Sequence, residues 1–391
     1  MKIEEIQPRS FNSLRNSLEI FLRNGKAYFL IVHTPETLKQ AFLAIHHFNR
    51  NKGLNLIKDA DKAFKKAKYQ EKWLNSELSN FEYLMKLNLY SGRSSNDINQ
   101  YPVFPWTYID FHSEAFDLTN PTNYRDLSKP IGALDSTRLG YLKERMLELS
   151  DSKIPEDQKM KPFLYGSHYS GSGHIMHFLI RLEPITSLCL NLQSGKFDCP
   201  DRLFIDIAET WRSCLFFHSD YKELIPEFYY HPEFLKNRNN YEFGKTQNGL
   251  EVSDVILPKW ARNPEEFVFR NRQALESKIV SKNLANWIDL IFGYKQLGEE
   301  ALKADNLFYY MTYEVLLENL YEFIIENIFY KGEIDLNNIQ DPNELKAILT
   351  QLASYGQTPH QLFKAKHPEK KLFKEENLVF LQSDVFFLIK S

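Results

Sequence analysis

The sequence predicts a mainly α-helical protein threaded by irregular extended segments, with a small α+β piece at the N-terminus. Three observations carry this. Apolar residues recur at helical spacing in several windows, as at Leu139, Leu142, Met146 and Leu149. Between such windows Pro102, Pro105, Pro121 and Pro130 exclude long helices. Near the start, two apolar runs flank Asn24-Gly25, a hairpin signal because both central residues of a type I′ turn need positive φ.

Taken in order, residues 17–33 read as a β-hairpin. Thr34-Pro35-Glu36 then opens a helix, with a cap and a proline at the first position. Leu38, Phe42 and Ile45 give it one apolar face. Two strands and a helix are too small a core to stand alone, so a piece is missing upstream or this one docks on the rest. Residues 58–72 hold six lysines and read as a solvated linker or helix face. A helix is expected from Trp73 to about Tyr90, stopped by Gly92. Residues 93–134 are irregular, a helix covers the Leu139–Leu149 window, and 151–162 form a polar loop.

A glycine-rich loop and apolar runs follow, then a helix from about Asp201 to Trp211. Asn263-Pro264-Glu265-Glu266 starts another, with acids at the positive end of the dipole. Further helices are expected after Ser281 to near Gly293, over 306–330 and over about Asn343–Ala353. The 306–330 helix would carry a stripe of Glu318, Glu322 and Glu326.

Composition narrows the function classes. Of 391 residues 43% are hydrophobic, enough for a large core, and 30 Phe, 21 Tyr and 5 Trp favour aromatic packing and partner surfaces. The 48 basic and 51 acidic residues give a net charge of −3, which argues against nucleic acid, whose binding needs a cationic excess. Cys189, Cys199 and Cys214 fit no metal or redox spacing and suggest a reducing compartment. The opening "MKIEEIQPRS" lacks the apolar core of a signal peptide, and no apolar run is long enough to span a bilayer. The expected location is cytoplasmic, with peripheral membrane association through the basic stretch as an option.

Catalytic patterns fail one by one. In "GSHYSGSGH", Gly166 and Gly171 match a phosphate-binding loop, but Ser172 and Gly173 replace the required Lys and Ser/Thr. The GxSxG elbow fails because Ser170 occupies its first glycine position. His168, His174 and His177 lack a partner pattern for metal, and polar packing is the competing reading. Charged residues in Arg181-Leu182-Glu183 and Tyr221-Lys222-Glu223 are expected to pair internally. A hydrolase using Ser170 or Ser172 with His168 or His174 stays as the remaining enzymatic alternative. No catalytic, metal or cofactor residues are assigned.

Nine blocks in order carry a resemblance. Among them are "GRSSNDINQYPVFPW" (Gly92–Trp106), "YRDLSKPIGAL" (Tyr124–Leu134), "HYSGSGHIMHFLIRLEPIT" (His168–Thr186), "LPKWARNPEEFVFRNRQALES" (Leu257–Ser277) and "SYGQTPHQLF" (Ser354–Phe363). The chain resembles the BEACH domain family, of neurobeachin type, over about 290 residues. The resemblance implies a largely helical fold around irregular chain, preceded by a pleckstrin-homology-like domain of which residues 1–50 would be the C-terminal part. Residues 51–72 would then be a basic linker and 73–368 the BEACH domain, with an insertion near 315–331. The tail 369–391 would lead towards a WD-repeat region.

The resemblance also implies a function. Family members are large cytoplasmic factors of vesicle trafficking, membrane dynamics, lysosome-related organelles, autophagy and receptor signalling. The expectation is a non-catalytic scaffold that binds trafficking proteins through the BEACH surface and its groove with the pleckstrin-like unit. Candidate partner contacts are Arg125, Lys129 and Arg181, each with internal ion pairing as the competing role. The alternative is a peripheral membrane module, with Lys58, Lys62, Lys65, Lys66 and Lys68 as lipid contacts.

Overall fold

The computed structural model describes residues 3–11, 14–32, 34–49, 55–57, 59–149, 162–313 and 355–371. β1 (Ile3–Phe11), β2 (Leu14–Leu22) and β3 (Ala27–Ile31) form an antiparallel meander. β4 (Asn55–Leu56) joins β1 in parallel, giving the order β3-β2-β1-β4. Sequence reading missed β1, where Pro8 and mixed charges spoil the alternation. The proline is tolerated because β4 pairs only with Glu5 and Ile6, leaving β1 an edge beyond them.

The hairpin is present, but its turn is not type I′. Only Gly25 has positive φ (+83°), and its N–H donates to the Leu22 carbonyl at 3.0 Å. A helical-type turn ending in one left-handed glycine makes the connection instead. α1 (Pro35–Asn49) is capped by Thr34 Oγ1, which accepts from the Thr37 N–H at 3.1 Å. Its Leu38, Phe42 and Ile45 pack on Ile6 and Leu18 of the sheet, as their spacing predicts.

The body begins with α2 (Ala60–Lys66) and α3 (Tyr69–Leu74), so much of the basic stretch is helical, and Phe64 is buried in the main core. The helix expected over 73–90 is broken. α4 (Asn80–Tyr90) starts afresh at Ser79, whose hydroxyl and the Glu82 carboxylate form a reciprocal capping box. Glu276 adds its own carboxylate to the same end, accepting from the N–H groups of Asn80 and Phe81 at 2.7 and 3.0 Å.

α5 (Ser136–Leu149), α6 (Ser172–Leu179) and α7 (Ile185–Leu192) follow. α8 (Ile207–Phe216) begins later than expected, because Asp206 caps it by accepting from the Glu209 N–H. α9 (Pro264–Leu275) starts at the Asn263 cap as predicted, and α10 (Lys278–Ile291) starts at Ser277 rather than after Ser281. α11 (Gly298–Lys303) is the last described helix. Residues 306–309, expected as helix, are extended: Leu307 O accepts from the N–H groups of Leu164 and Tyr165, and Tyr309 N–H donates to Tyr165 O. Residues 151–161, the insertion at 315–331 with its glutamate stripe, the 343–353 helix and the tail from 372 lie outside the described residues.

Irregular chain is stitched between helices by single bridges, such as Phe104 with Leu224 and Tyr108 with Tyr124. The core is aromatic: Trp73, Trp106 and Trp287 are fully buried, and Trp73 stacks on Tyr83 at 4.9 Å. Residues 355–371 form a strap across the body. Leu362 N–H donates to Phe292 O at 2.9 Å, and His367 N–H donates to Asp289 Oδ1 at 2.9 Å. Among the described residues no helix is long and apolar enough to cross a membrane.

Two glycines give a paired test of this packing. A Cβ on Gly132 would collide with the Tyr165 ring, whereas one on Gly140, inside α5, meets open space. Gly132→Ala is expected to cost about 1–3 kcal/mol through overpacking. Gly140→Ala is expected to add about 0.5–1 kcal/mol through helix propensity. Urea unfolding midpoints of the two variants check both signs.

Candidate partner-binding site

The sheet is covered on both sides. Leu18 and Ile6 face α1, while the alternate residues Gln7, Arg9, Ser17 and Glu19 are buried too. Arg9 Nε donates to Glu19 Oε2 at 2.7 Å, with both side chains about 2% exposed. Arg9 Nη1 donates to the Leu89 carbonyl at the end of α4, at 2.7 Å. Glu19 Oε1 accepts from Ser94 Oγ at 2.5 Å and Asn96 Nδ2 at 2.9 Å. Gln100 Nε2 donates to Ser10 O at 2.7 Å. Burial pulls the Arg9 pKa down, and Glu19 opposes the shift. The polar face of the sheet is therefore a seam, closed by a buried ion pair against the loop that follows α4. It fixes the small unit on the body.

Sequence reasoning missed these seam residues. Gln7 and Arg9 lie on the strand that was missed, and Ser17 and Glu19, on the polar face of the hairpin, read as a solvent face unless something covers them.

The expected contact residues are placed differently. Arg125 is inside the protein: Nη1 donates to Glu223 Oε2 at 2.7 Å and Nη2 to the Lys129 carbonyl at 3.1 Å. Arg181 is buried as well. Its Nε donates to the Ser253 carbonyl at 2.8 Å, its guanidinium lies over the Phe243 ring, and burial lowers its pKa to about 10. Neither guanidinium is on a surface that a partner can reach. Lys129 is exposed, 3.9 Å from Asp126.

Lys62, Lys65, Lys66 and Lys68 are exposed, and Lys58 lies outside the described residues. Lys62 sits 3.1 Å from Asp59 and Lys68 3.0 Å from Glu71, so nearby acids dilute the charge.

The glycine-rich loop does bring Ser170 and His168 together, with Oγ 3.1 Å from Nδ1. Both are buried, at 3% and 2% exposure. Arg93 Nη1 donates to the same Oγ at 2.9 Å, and His168 Nε2 is 3.3 Å from Thr358 Oγ1. The imidazole's partners are thus hydroxyl and backbone groups, and burial beside Arg93 holds its pKa well below the usual value. The pair works as packing that receives the strap, where Gly356 leaves no room for a Cβ against His168 Nδ1 and the Gly171 N–H. Ser172 begins α6, and no hydrogen bond among the described residues joins it to an imidazole. His174 and His177 share one face of α6 and line an open cleft. Lys222 pairs with Asp220, and Glu223 with Arg125, as internal pairing predicts.

A family model described as the Beige/BEACH domain matches residues 71–370. The "BEACH domain-containing protein B" of Arabidopsis thaliana is 48% identical over 302 residues, covering 77% of this chain and 11% of that protein. The "BEACH domain-containing protein lvsD" of Dictyostelium discoideum is 49% identical over 301 residues, covering 76% of this chain and 9% of that protein. The chain thus spans about a tenth of the length of these relatives.

Glu19→Ala leaves Arg9 charged and buried at the seam, a loss of about 3–5 kcal/mol for a broken buried pair. Hydrogen exchange should rise in β1, β2 and α1 and stay unchanged in α9 and α10. Lys129→Ala should change stability by less than about 0.5 kcal/mol.

Burial also lowers the pKa of His174 and His367 to about 4 and of His177 to about 3. Below the unfolded value near 6.5 the unfolded chain binds protons that the folded chain refuses, so stability falls with acid. Asp289, raised to about 6 by burial, and Asp97 and Glu227, raised by burial as well, pull the other way, while buried His168 and half-buried His231 add to the histidine effect. Urea midpoints should drop steadily from neutral pH to about pH 4, by up to about 1.4 kcal/mol per pH unit for each such histidine.

Proposed function

The chain belongs to the Beige/BEACH domain family, and from that membership we propose that it is a non-catalytic scaffold of vesicle trafficking and membrane dynamics. Trafficking proteins bind its BEACH surface and the groove beside the N-terminal unit. That unit is the C-terminal part of a pleckstrin-homology-like domain, residues 1–50, with 73–368 as the BEACH domain. Residues 369–391 lead towards a WD-repeat region, and the protein works in the cytoplasm at membranes.

The observation that carries this reading is the seam. Arg9 and Glu19, paired on the sheet, are buried against the body through Leu89 and Ser94, a position that neither charge could leave cheaply, which makes the composite surface rigid. A preorganised surface binds without the ordering cost that a mobile one incurs. The non-catalytic reading is supported by the interior position of Ser170 and His168 and by the internal pairing of Arg125 and Glu223.

Affinity capture from cytosol with the full chain is expected to recover membrane-traffic proteins, and the Glu19→Ala chain to recover them several-fold less. Recovery of none by the wild-type chain counts against the scaffold. Exposed Lys62, Lys65 and Lys66 favour a second, weaker activity at anionic membranes. Flotation with phosphatidylserine vesicles should show weak binding that salt abolishes, and salt-insensitive binding would refute the electrostatic mechanism. A reactive-serine probe is expected to label neither Ser170 nor Ser172.

A further inference from the structure

A cleft of about 1010 Å³ lies on the face built by α6, α7, α8 and the chain at 246–256, and its lining shares no residue with the Arg9–Glu19 seam. Its wall belongs to a small satellite core in which Ile180, Cys189 and Leu203 are buried. Four large apolar side chains on its lining are left in solvent: Leu192 (62% exposed), Phe217 (64%), Leu250 (46%) and Ile256 (44%). Apolar surface gathered in one concave place with a polar rim marks an interaction site far better than scattered exposure does.

The rim has one sign. Asp198, Asp201, Asp206 and Glu209 line the cleft, with Asp220 further in. The lysine and arginine of the lining are Lys222, paired with Asp220, and Arg202, 3.7 Å from Asp198. Glu209 is paired as well, with Arg212 at 2.9 Å, which leaves Asp201 and Asp206, among the described residues, as the lining carboxylates without an ion pair, each accepting from a backbone N–H.

Two buried atoms give a second, independent indication. His174 Nδ1 and His177 Nε2 are shielded and have no hydrogen-bond partner. A neutral imidazole carries one bare lone pair and one N–H on its two ring nitrogens. Two unpartnered ring nitrogens thus belong to residues that line the cleft. A buried acceptor left unpaired costs about 1–3 kcal/mol, which a ligand with N–H groups would recover.

We propose that this cleft docks a short amphipathic, lysine- or arginine-bearing segment of a partner protein. Its apolar side chains lie against Leu203, Ile205, Leu250 and Ile256. Its cationic groups meet the carboxylate rim, and its N–H donors reach the two imidazoles. Acidic peptides, anionic lipid headgroups and nucleic acid are repelled by the same rim. This docking site does not depend on the seam, and it specifies partner chemistry that the scaffold reading leaves open.

The test is a selection of random displayed peptides on the full chain, followed by fluorescence anisotropy on the most enriched sequence. Enriched peptides should combine apolar residues at helical or alternating spacing with lysine or arginine. Leu250→Arg, Ile256→Arg and the surface change Glu209→Lys should each weaken the selected peptide about tenfold or more, equivalent to about 1.4 kcal/mol. Leu30→Arg, on the sheet edge, should leave affinity unchanged. Enrichment of acidic sequences, the absence of any enrichment, or affinity unaffected by all three cleft variants would overturn the proposal. Glu19→Ala separates the two readings, since it disturbs the seam and should not change cleft binding.

Discussion

At the centre of the body sits one carboxylate, Glu223, with both oxygens engaged. Oε2 accepts from Arg125 Nη1 at 2.7 Å and faces the Trp106 N–H at 3.4 Å, while Oε1 accepts from Trp287 Nε1 at 3.0 Å. Its own N–H donates to the Tyr169 carbonyl. Four stretches far apart in sequence therefore meet on one residue: the chain near 106, the irregular stretch at 124–134, the glycine-rich loop and α10. A charge buried this deeply is tolerable only when each lone pair has a donor, and that requirement holds the irregular stretches in register. Arg138 extends the rule by donating to the carbonyls of Ile131 and Phe217. In chain without ladders, backbone carbonyls must find such side chains or water.

The same constraint recurs at the seam. Arg9 and Glu19 are strand residues whose charges would ordinarily face solvent, yet here they complete each other against the carbonyl of Leu89 and the side chains of Ser94 and Asn96. Among the described residues the cluster between the small sheet and α1 has only Ile6, Leu18 and Leu38 fully buried, and so small a core needs a second surface to be stable. The body supplies it. Charge inside and apolar side chains outside are thus two sides of one design. The interior is committed to holding irregular chain, and the cleft beside α6 is where apolar and acidic groups remain for recognition.

Much of this was legible in the residues. Asn263-Pro264 and Thr34-Pro35 announced their helices because a cap acts within one turn. Gly92 stopped α4 at +91° because only glycine takes that conformation without strain. Arg125 and Arg181 could be weighed as internal partners, but their neighbours could not be named. Glu223 lies 98 residues from Arg125, and Ser253 lies 72 from Arg181. Local pattern also misled where distant pairing decides: 306–309 has helical spacing but is extended because Tyr165 needs its backbone partners there. The run after Trp73 reads as continuous, yet the box at Ser79 and the carboxylate of Glu276, 196 residues away, restart it.

By itself the sequence determined the helical class, the caps at Thr34 and Asn263 and the stop at Gly92, the hairpin with its packed helix, and the ordered blocks that mark the family. All of these rest on interactions within a few residues or on composition. Only the tertiary structure decided that Gln7, Arg9, Ser17 and Glu19 form a buried seam rather than a wet face. It alone placed the arginines in the interior and gathered acids, apolar side chains and two bare imidazole nitrogens around one cleft. Which face of an element is covered depends on chain far away in sequence, and a local pattern carries no record of that.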